Sequence, residues 1–299
     1  MEKGAVLCLA LFCVAACAQS TRPVSLRVDS SLVLIPVHVT AISGAPVVGL
    51  KREDFVLYQD GVRQTITHFA QDDAPISAGV LLDVSGSMKS KMARASAAAT
   101  AFFQSASPGD EFFLVEFNGR PKLTVPFTRD WQQIADEIAH AKASGLTALL
   151  DAVHLAARQM KQARNARRAL IILSDGGDNY SRSTLRQLRS TLMESDLQVY
   201  VLGVYDRKGR SAEERRGPGL LDTVAFETGG RDFPVSNLDD LPGIGQQLSR
   251  ELRNQYVLGY TPGETAADGK YHQVKLTLIR GDRGPLHAFY RRGYYAPAQ

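Results

Sequence analysis

The sequence predicts an α/β protein: a doubly wound, mostly parallel sheet with a second, smaller β domain built from the N- and C-terminal segments. Between residues 75 and 253, buried strand patterns alternate with helix patterns, which is the order typical of a parallel sheet with helices on both faces. Both flanks carry strand patterns and turns instead. The length of 299 residues exceeds one average domain and agrees with a large domain plus a smaller one.

The N-terminal flank has the pattern of a small β unit. Residues 33–39 are apolar and β-branched, and residues 43–46 supply a turn after them. Residues 54–58 and 64–69 flank Asp60-Gly61, which is a strong hairpin signal.

The middle of the chain begins with a nearly all-apolar strand at residues 76–83, as expected for a strand buried on both faces. Strands and helices then alternate, with Ser183 as the predicted cap of one helix. Further strands are expected at residues 110–117, 123–127, 169–173 and 197–204, and helices at residues 91–105, 130–143, 147–162 and 238–253.

The charged, Gly-rich residues 207–219 are typical of an exposed loop. After them, β patterns return at residues 255–260, 271–279 and 286–291. Neither flank has enough strands for a comfortable core of its own, so we predict that the two pack together. The predicted domains are a signal peptide at 1–18, an N-terminal β segment at 19–74, an α/β domain at 75–253, and a C-terminal β segment at 254–299.

The N-terminus predicts export. Lys3 precedes an apolar stretch at residues 5–16, which has the length of a signal-peptide core and is too short to span a bilayer. Two outcomes stay open: cleavage after Ala18, or lipidation of Cys17 in a lipobox-like sequence. Either outcome places the protein in the periplasm, at the cell envelope or in the medium of a bacterium.

The rest of the composition narrows the function classes. The cysteines, Cys8, Cys13 and Cys17, all lie in the export segment, so the mature chain has no thiol chemistry. No later run of apolar residues is long enough for a membrane span. The net charge of +4 comes without a long basic stripe and does not indicate a nucleic-acid partner.

Oxygen-bearing side chains follow two of the predicted strands and precede a helix. Asp83, Ser85 and Ser87 come after the strand at 76–83, Asp175 follows the strand at 169–173, and Thr147 lies at the predicted start of a helix. Ligands of open α/β sheets bind outside the carboxyl ends of the strands. Two carboxylates and three hydroxyls suit Mg²⁺, Mn²⁺ or Ca²⁺ rather than Zn²⁺.

Each of these residues also has an ordinary interpretation. The two aspartates could cap the helices that follow them, and the serines could be turn residues. Two further acids lie nearby in sequence and are not included in the predicted set. They are Asp178, for which an outer-shell role and simple solvation both stay open, and Glu116, which could face the site or cover the end of the sheet.

This residue set resembles the metal-ion-dependent adhesion site of the von Willebrand factor type A domain, and residues 76–253 resemble that domain. The resemblance implies that Ser85, Ser87 and Thr147 supply direct or exchangeable ligands, and that Asp83 and Asp175 bind partly through water. It implies a divalent cation, with Mg²⁺ first, that keeps one position open for an Asp or Glu carboxylate of a protein ligand.

The wider layout resembles bacterial von Willebrand factor A-related proteins with a β segment on each side of the A domain. Residues 50–55, Asp60-Gly61, residues 258–260 and residues 292–297 carry this likeness. It covers nearly the whole chain that follows the signal peptide, and it implies no particular activity.

The function expected from this resemblance is a non-enzymatic, extracytoplasmic binding, adhesion or scaffolding module. One alternative is a metal-dependent hydrolase, such as a phosphatase, that uses Asp83 as nucleophile or the ion to activate water. Another is a structural envelope assembly factor in which the metal serves stability. The six histidines lie outside the three site loops, which disfavours the hydrolase.

Five basic residues lie close together in sequence at the end of a predicted helix. They would complement the helix dipole and keep the surface soluble, or they would bind an acidic partner or an anionic lipid surface. They are Arg158, Lys161, Arg164, Arg167 and Arg168.

Overall fold

The alternating middle of the chain forms a six-stranded sheet in the order β10-β9-β8-β5-β6-β7. The structure, a computed structural model, describes residues 32–72, 74–205, 212–235, 237, 240–263, 268–279 and 284–297. The predicted signal peptide, Cys17 and the first residues of the N-terminal segment lie outside these residues. The strands are β1 (Val33–Ala41), β2 (Phe55–Gln59), β3 (Val62–Gln64), β4 (His68–Asp72), β5 (Ile76–Asp83), β6 (Glu111–Phe117), β7 (Pro121–Thr128), β8 (Arg167–Ser174), β9 (Gln198–Gly203), β10 (Asp232–Pro234), β11 (Gln255–Tyr260), β12 (Tyr271–Leu278), β13 (Leu286–Tyr290) and β14 (Gly293–Tyr295).

The central sheet is parallel except for its edge strand β7, which runs antiparallel to β6. Every residue of β5 is buried, which explains its nearly all-apolar sequence. Helices cover both faces. They are α1 (Met92–Phe103), α2 (Trp131–His140), α3 (Leu149–Gln159), α4 (Leu185–Ser195), α5 (Ala212–Thr228) and α6 (Leu241–Arg253).

Two apolar cores separate the helices from the sheet. On one face, Phe102 of α1, Ile134 of α2 and Leu248 of α6 pack on the strands. On the other face, residues of α3, α4 and α5 do so, among them Val153 and Leu188. This layout confirms the predicted doubly wound α/β fold.

The flanking strands form two antiparallel sheets among the described residues, in the orders β13-β1-β11-β4 and β14-β12-β2-β3. Each sheet therefore combines N- and C-terminal strands, as predicted. A third apolar core lies between them, with Ile35 of β1, Leu57 of β2, Leu258 of β11 and Val274 of β12 among its buried residues. The second, smaller β domain thus has its own core.

The prediction of an exposed loop at residues 207–219 is wrong from residue 212 onward, because α5 begins there. Residues 207–211 lie outside the described part. Gly217 and Pro218 look like helix breakers, but Gly217 lies against Gly176, and a Cβ on it would be 2.4 Å from the Gly176 carbonyl carbon. The glycine marks a close backbone approach rather than a loop.

Two predicted helix starts are also displaced. The helix expected to begin at Thr147 begins at Leu149, because Thr147 belongs to the preceding loop. The helix expected to be capped by Ser183 is capped by Thr184, whose side chain accepts the N–H of Gln187.

An ionisable cluster, which we call the seam cluster, lies between β1, α6 and the residue before β10, with two of its three members buried. It consists of His38, Glu251 and Arg231. The His38 Nε2 and Glu251 Oε1 atoms are 3.7 Å apart, and Arg231 Nη1 lies 3.3 Å from the same oxygen. Burial lowers the pKa of His38 to about 4 and raises that of Glu251 to about 7, with Arg231 opposing the second shift.

Candidate metal site and family

The predicted site residues lie in three loops that meet at the carboxyl edge of the central sheet. One loop follows β5, one follows β8, and one precedes α3. Two backbone hydrogen bonds join the first loop to the third: Gly86 N–H donates to the Gly145 carbonyl at 2.9 Å, and Ser144 N–H donates to the Val84 carbonyl at 2.8 Å. The fold thus brings segments about sixty residues apart in sequence into direct contact.

Asp83, the last residue of β5, is fully buried. Its Oδ1 accepts the Ser85 N–H at 2.9 Å, and its Oδ2 accepts the Ser174 hydroxyl at 2.6 Å. Burial raises the pKa of Asp83 to about 6, and the nearby Asp175 carboxylate adds to this rise, although the two serines oppose it. A cation placed here would favour the ionised form.

Ser85 and Ser87 present their hydroxyls together. A short 3₁₀ helix, Gly86–Met88, follows Ser85 and turns the chain so that the two Oγ atoms are 3.2 Å apart. Ser85 is buried, whereas Ser87 is partly exposed. The pair provides two neighbouring oxygen donors on one side of the loop.

The loop after β8 fixes the backbone of Thr147. The Thr147 N–H donates to Asn179 Oδ1 at 2.9 Å, and the Thr147 carbonyl accepts the N–H groups of Asn179 and Tyr180. Asn179 was not among the predicted residues. Its signal is its position four residues after Asp175, in a loop already expected to reach the site.

Thr147 and Asp175 face a common space beside Gly177. A Cβ on Gly177 would lie 3.6 Å from Asp175 Oδ1 and 3.9 Å from Thr147 Oγ1. Glycine therefore leaves room between the two oxygens that any other residue would partly fill.

Lys91, at the N-terminus of α1, is the main feature that the sequence analysis missed. Its Nζ donates to Asp175 Oδ2 at 2.6 Å, and both side chains are nearly fully buried. A buried carboxylate needs a counter-charge, and Lys91 is one of the first cations after the Asp83 loop. The signal in the sequence was the predicted convergence of Asp83 and Asp175, because two neighbouring carboxylates favour a lysine that pairs with one of them.

The two neighbouring acids have structural contacts. Asp178 Oδ1 accepts the Leu149 N–H at 3.1 Å and the Ser181 hydroxyl at 2.7 Å, so it caps α3. Glu116 Oε2 accepts the Thr124 hydroxyl on the neighbouring strand β7. Of the two interpretations left open for Glu116, covering the end of the sheet agrees with this contact.

The donor set fits a hard divalent cation. Asp83, Asp175, Ser85, Ser87 and Thr147 contribute oxygens only, from loops that are hydrogen-bonded to each other. Three or more His, Cys, Asp or Glu side chains grouped for a metal are not found in the described residues. Hydroxyl oxygens would therefore have to supply much of the coordination, as in the predicted set.

The segment that carries all five residues matches a known family. Residues 80–177 match the model of the von Willebrand factor type A domain. This part of the chain therefore has the sequence pattern of a von Willebrand factor type A domain. We use "A domain" for the six-stranded sheet with its helices. No curated protein sequence matches the chain.

Several solved structures are similar to this chain. A von Willebrand factor type A protein from Catenulispora acidiphila is 13% identical, with 80% of this chain and 73% of that chain covered, at a TM-score of 0.51. The conserved hypothetical protein BatB from Bacteroides thetaiotaomicron is 20% identical, with 59% of this chain and 98% of that chain covered, at a TM-score of 0.48. The vWF domain of the type V pili tip protein Mfa5 from Porphyromonas gingivalis is 11% identical, with 60% of this chain and 95% of that chain covered, at a TM-score of 0.47. The first of these likenesses shows a shared fold.

Proposed function

We propose that this protein is a non-enzymatic binding or scaffolding module of the cell envelope or the extracellular space that grips a protein ligand through a divalent cation. Asp83, Ser85, Ser87, Thr147 and Asp175 would hold the ion, with Mg²⁺ as the first candidate. The observation that carries the proposal is the gathering of hard oxygen donors from three loops at the carboxyl edge of the sheet. A bound ion would supply a Lewis-acidic position for an Asp or Glu carboxylate of the partner.

Lys91 supports a binding role over a purely structural metal. Its ammonium already neutralises Asp175 at 2.6 Å, so the fold carries its own counter-charge at this edge. A metal needed only for folding would have no such substitute. Part of the ion's binding free energy would be spent on separating this pair.

The hydrolase alternative gains no support from the site. Within the described residues, none of the hydrogen bonds of the five proposed ligands involves a histidine. A general base beside the site is thus not provided by a histidine there.

Helices of the described part also lack the length and apolarity to cross a membrane.

The test of the site is a Mg²⁺ titration monitored by thermal unfolding. Saturating Mg²⁺, at about a hundred times its Kd, would stabilise the wild type by about 2.7 kcal/mol. Asp83→Ala would lose this response. Asp136→Ala, an exposed acid on α2, would keep it and serves as the control. An equal Mg²⁺ response in Asp83→Ala and the wild type would refute the metal site.

The test of the partner is a pull-down from envelope extract with and without EDTA. We expect bands that disappear with EDTA and with Thr147→Val. A pull-down unchanged by EDTA, from a protein whose unfolding still responds to Mg²⁺, would instead favour the structural role of the ion.

A further inference from the structure

Helices α3 and α4 border an elongated groove on the outer face of the A domain. It consists of two cavities of about 890 and 510 Å³ that share several lining residues. One end lies at Tyr180, whose N–H donates to the Thr147 carbonyl, and the other lies at Leu197. The shared lining residues are His154, Arg158, Thr191 and Glu194.

Cations dominate the charge of this groove. Five line it, against two acids, and none of the five forms an ion pair with a carboxylate in the described part of the chain. Three of the five basic residues that lie close together in sequence line the groove. Arg167 does not line it and donates to backbone carbonyls of α6 instead. The five cations are Arg120, Arg158, Lys161, Arg168 and Arg182.

The two acids of the groove are engaged in local hydrogen bonds. The Asp151 carboxylate accepts the N–H groups of Arg182 and Ser183, both at 3.0 Å. Glu194 Oε1 accepts the Ser190 hydroxyl at 3.0 Å. These acids hold the walls together, and among the residues that the structure describes neither of them forms an ion pair with the five cations.

The dipole of α3 explains only part of this charge. Arg158 and Lys161 lie at the C-terminal end of the helix, where cations are favourable. Arg182 follows Ser181, whose hydroxyl accepts the Leu150 N–H at the opposite end of α3, where the dipole disfavours a cation. Arg120 lines that same end of the groove from the β6–β7 turn. The helix dipole therefore does not account for Arg120 and Arg182.

We propose that this groove binds an acidic, extended segment of a partner protein. Carboxylates along such a segment would pair in turn with Arg182, Arg158 and Lys161, and guanidinium groups suit this because they bind carboxylates in a bidentate manner. Ser183 and Gln187 offer further hydrogen-bonding groups on the wall. A concave groove between two helices admits a peptide chain, whereas a bilayer would contact only its rims. The interaction needs no metal, so it goes beyond the function proposed above.

The experiment measures fluorescence anisotropy of a labelled peptide of alternating Glu and Ser at low salt in EDTA. The wild type is expected to bind it and to release it as salt rises, since exposed charge pairs are screened. The double variant Arg158→Glu/Lys161→Glu would bind at least about tenfold more weakly, because each reversal replaces an attraction by a repulsion.

The matched control is Arg63→Glu/Lys275→Glu, which makes the same charge change on exposed residues of the β3 and β12 strands. Thermal unfolding establishes that both variants are folded. An equal loss in both variants would mean that only net charge matters, and a Gln-Ser peptide that binds equally well would exclude charge recognition; either result overturns the proposal. A third result would be that the wild type binds phosphatidylglycerol vesicles but not the Glu-Ser peptide, and that Arg158→Glu/Lys161→Glu loses the vesicle binding. This result would replace the acidic segment with a lipid surface as the ligand of the groove.

Discussion

The metal-site end of the A domain and the seam cluster both bury a carboxyl group with a raised pKa. Burial brings Asp83 to about 6 and Glu251 to about 7. Each region also holds a cation close to an acid: Lys91 lies 2.6 Å from Asp175, and Arg231 lies 3.3 Å from Glu251. By charge and burial alone, the two regions would be hard to tell apart.

They differ in what surrounds the acids. At the site end, hydroxyls and backbone N–H groups from three loops converge at the edge of a parallel sheet. In the seam, His38 faces the ring of Phe289, with ring centroids 6.3 Å apart, and Glu251 is held on a helix. A perturbed pKa therefore identifies a functional site only together with its donor set and its position in the fold.

The largest effect that would sharpen this comparison is expected from Lys91→Met. Removing one partner of a buried ion pair leaves Asp175 uncompensated and costs about 3–5 kcal/mol of unfolding free energy. Mg²⁺ would restore part of this loss if the ion binds Asp175. Urea unfolding with and without Mg²⁺ measures both effects, and Lys89→Met, an exposed neighbour, is the control. A loss near zero would show that the pair contributes little to stability.

In the seam, the expected effect is a dependence of stability on pH. The raised pKa of Glu251 gives stability below pH 4.5 that is lost as pH rises through about 7. The lowered pKa of His38 gives stability above pH 6.5 that is lost as pH falls toward 4. The two slopes oppose each other between pH 4.5 and 6.5, so their sum in the wild type is small.

Single variants would expose each slope. As the pH rises from 5 to 7, the unfolding free energy of His38→Leu relative to the wild type should decrease, and that of Glu251→Gln should increase. Each change should be on the order of 1–3 kcal/mol. Guanidinium unfolding at several pH values checks this. If neither variant changes the pH profile, the two groups are not perturbed in the folded protein.

Much of this could be predicted from the sequence, for local reasons. Strand β5 is recognisable because both of its faces are buried, and Asp83, Ser85 and Ser87 directly follow it. Lys91 was missed because its burial depends on Asp175, which lies 84 residues further along the chain. Helix α5 was missed because the role of Gly217 depends on contact with Gly176, another distant segment.

The smallest expected effect concerns metal affinity at the site end. If Asp83 must lose a proton to bind the ion, Mg²⁺ affinity should fall by about tenfold per pH unit below about 6, where the pKa of Asp83 lies. Titrations monitored by thermal shift between pH 5 and 8 measure this, and affinity should level off above pH 7. Affinity that stays constant down to pH 5 would mean that Asp83 is not a direct participant.

The pairing of β1 with β11 and β13 has a consequence for how the chain is made. Val33 of β1 lies opposite Tyr260, and Val37 lies opposite Tyr290, so these partners leave the ribosome long after β1 itself. The A domain between them can assemble first, whereas β1 stays unpaired until residues 256–260 and 286–290 have been made. Such long-range closure is slow. Strand β1 is thus a strand that reaches its native neighbours late, and a chain that stops before residue 255 would leave its apolar side chains uncovered.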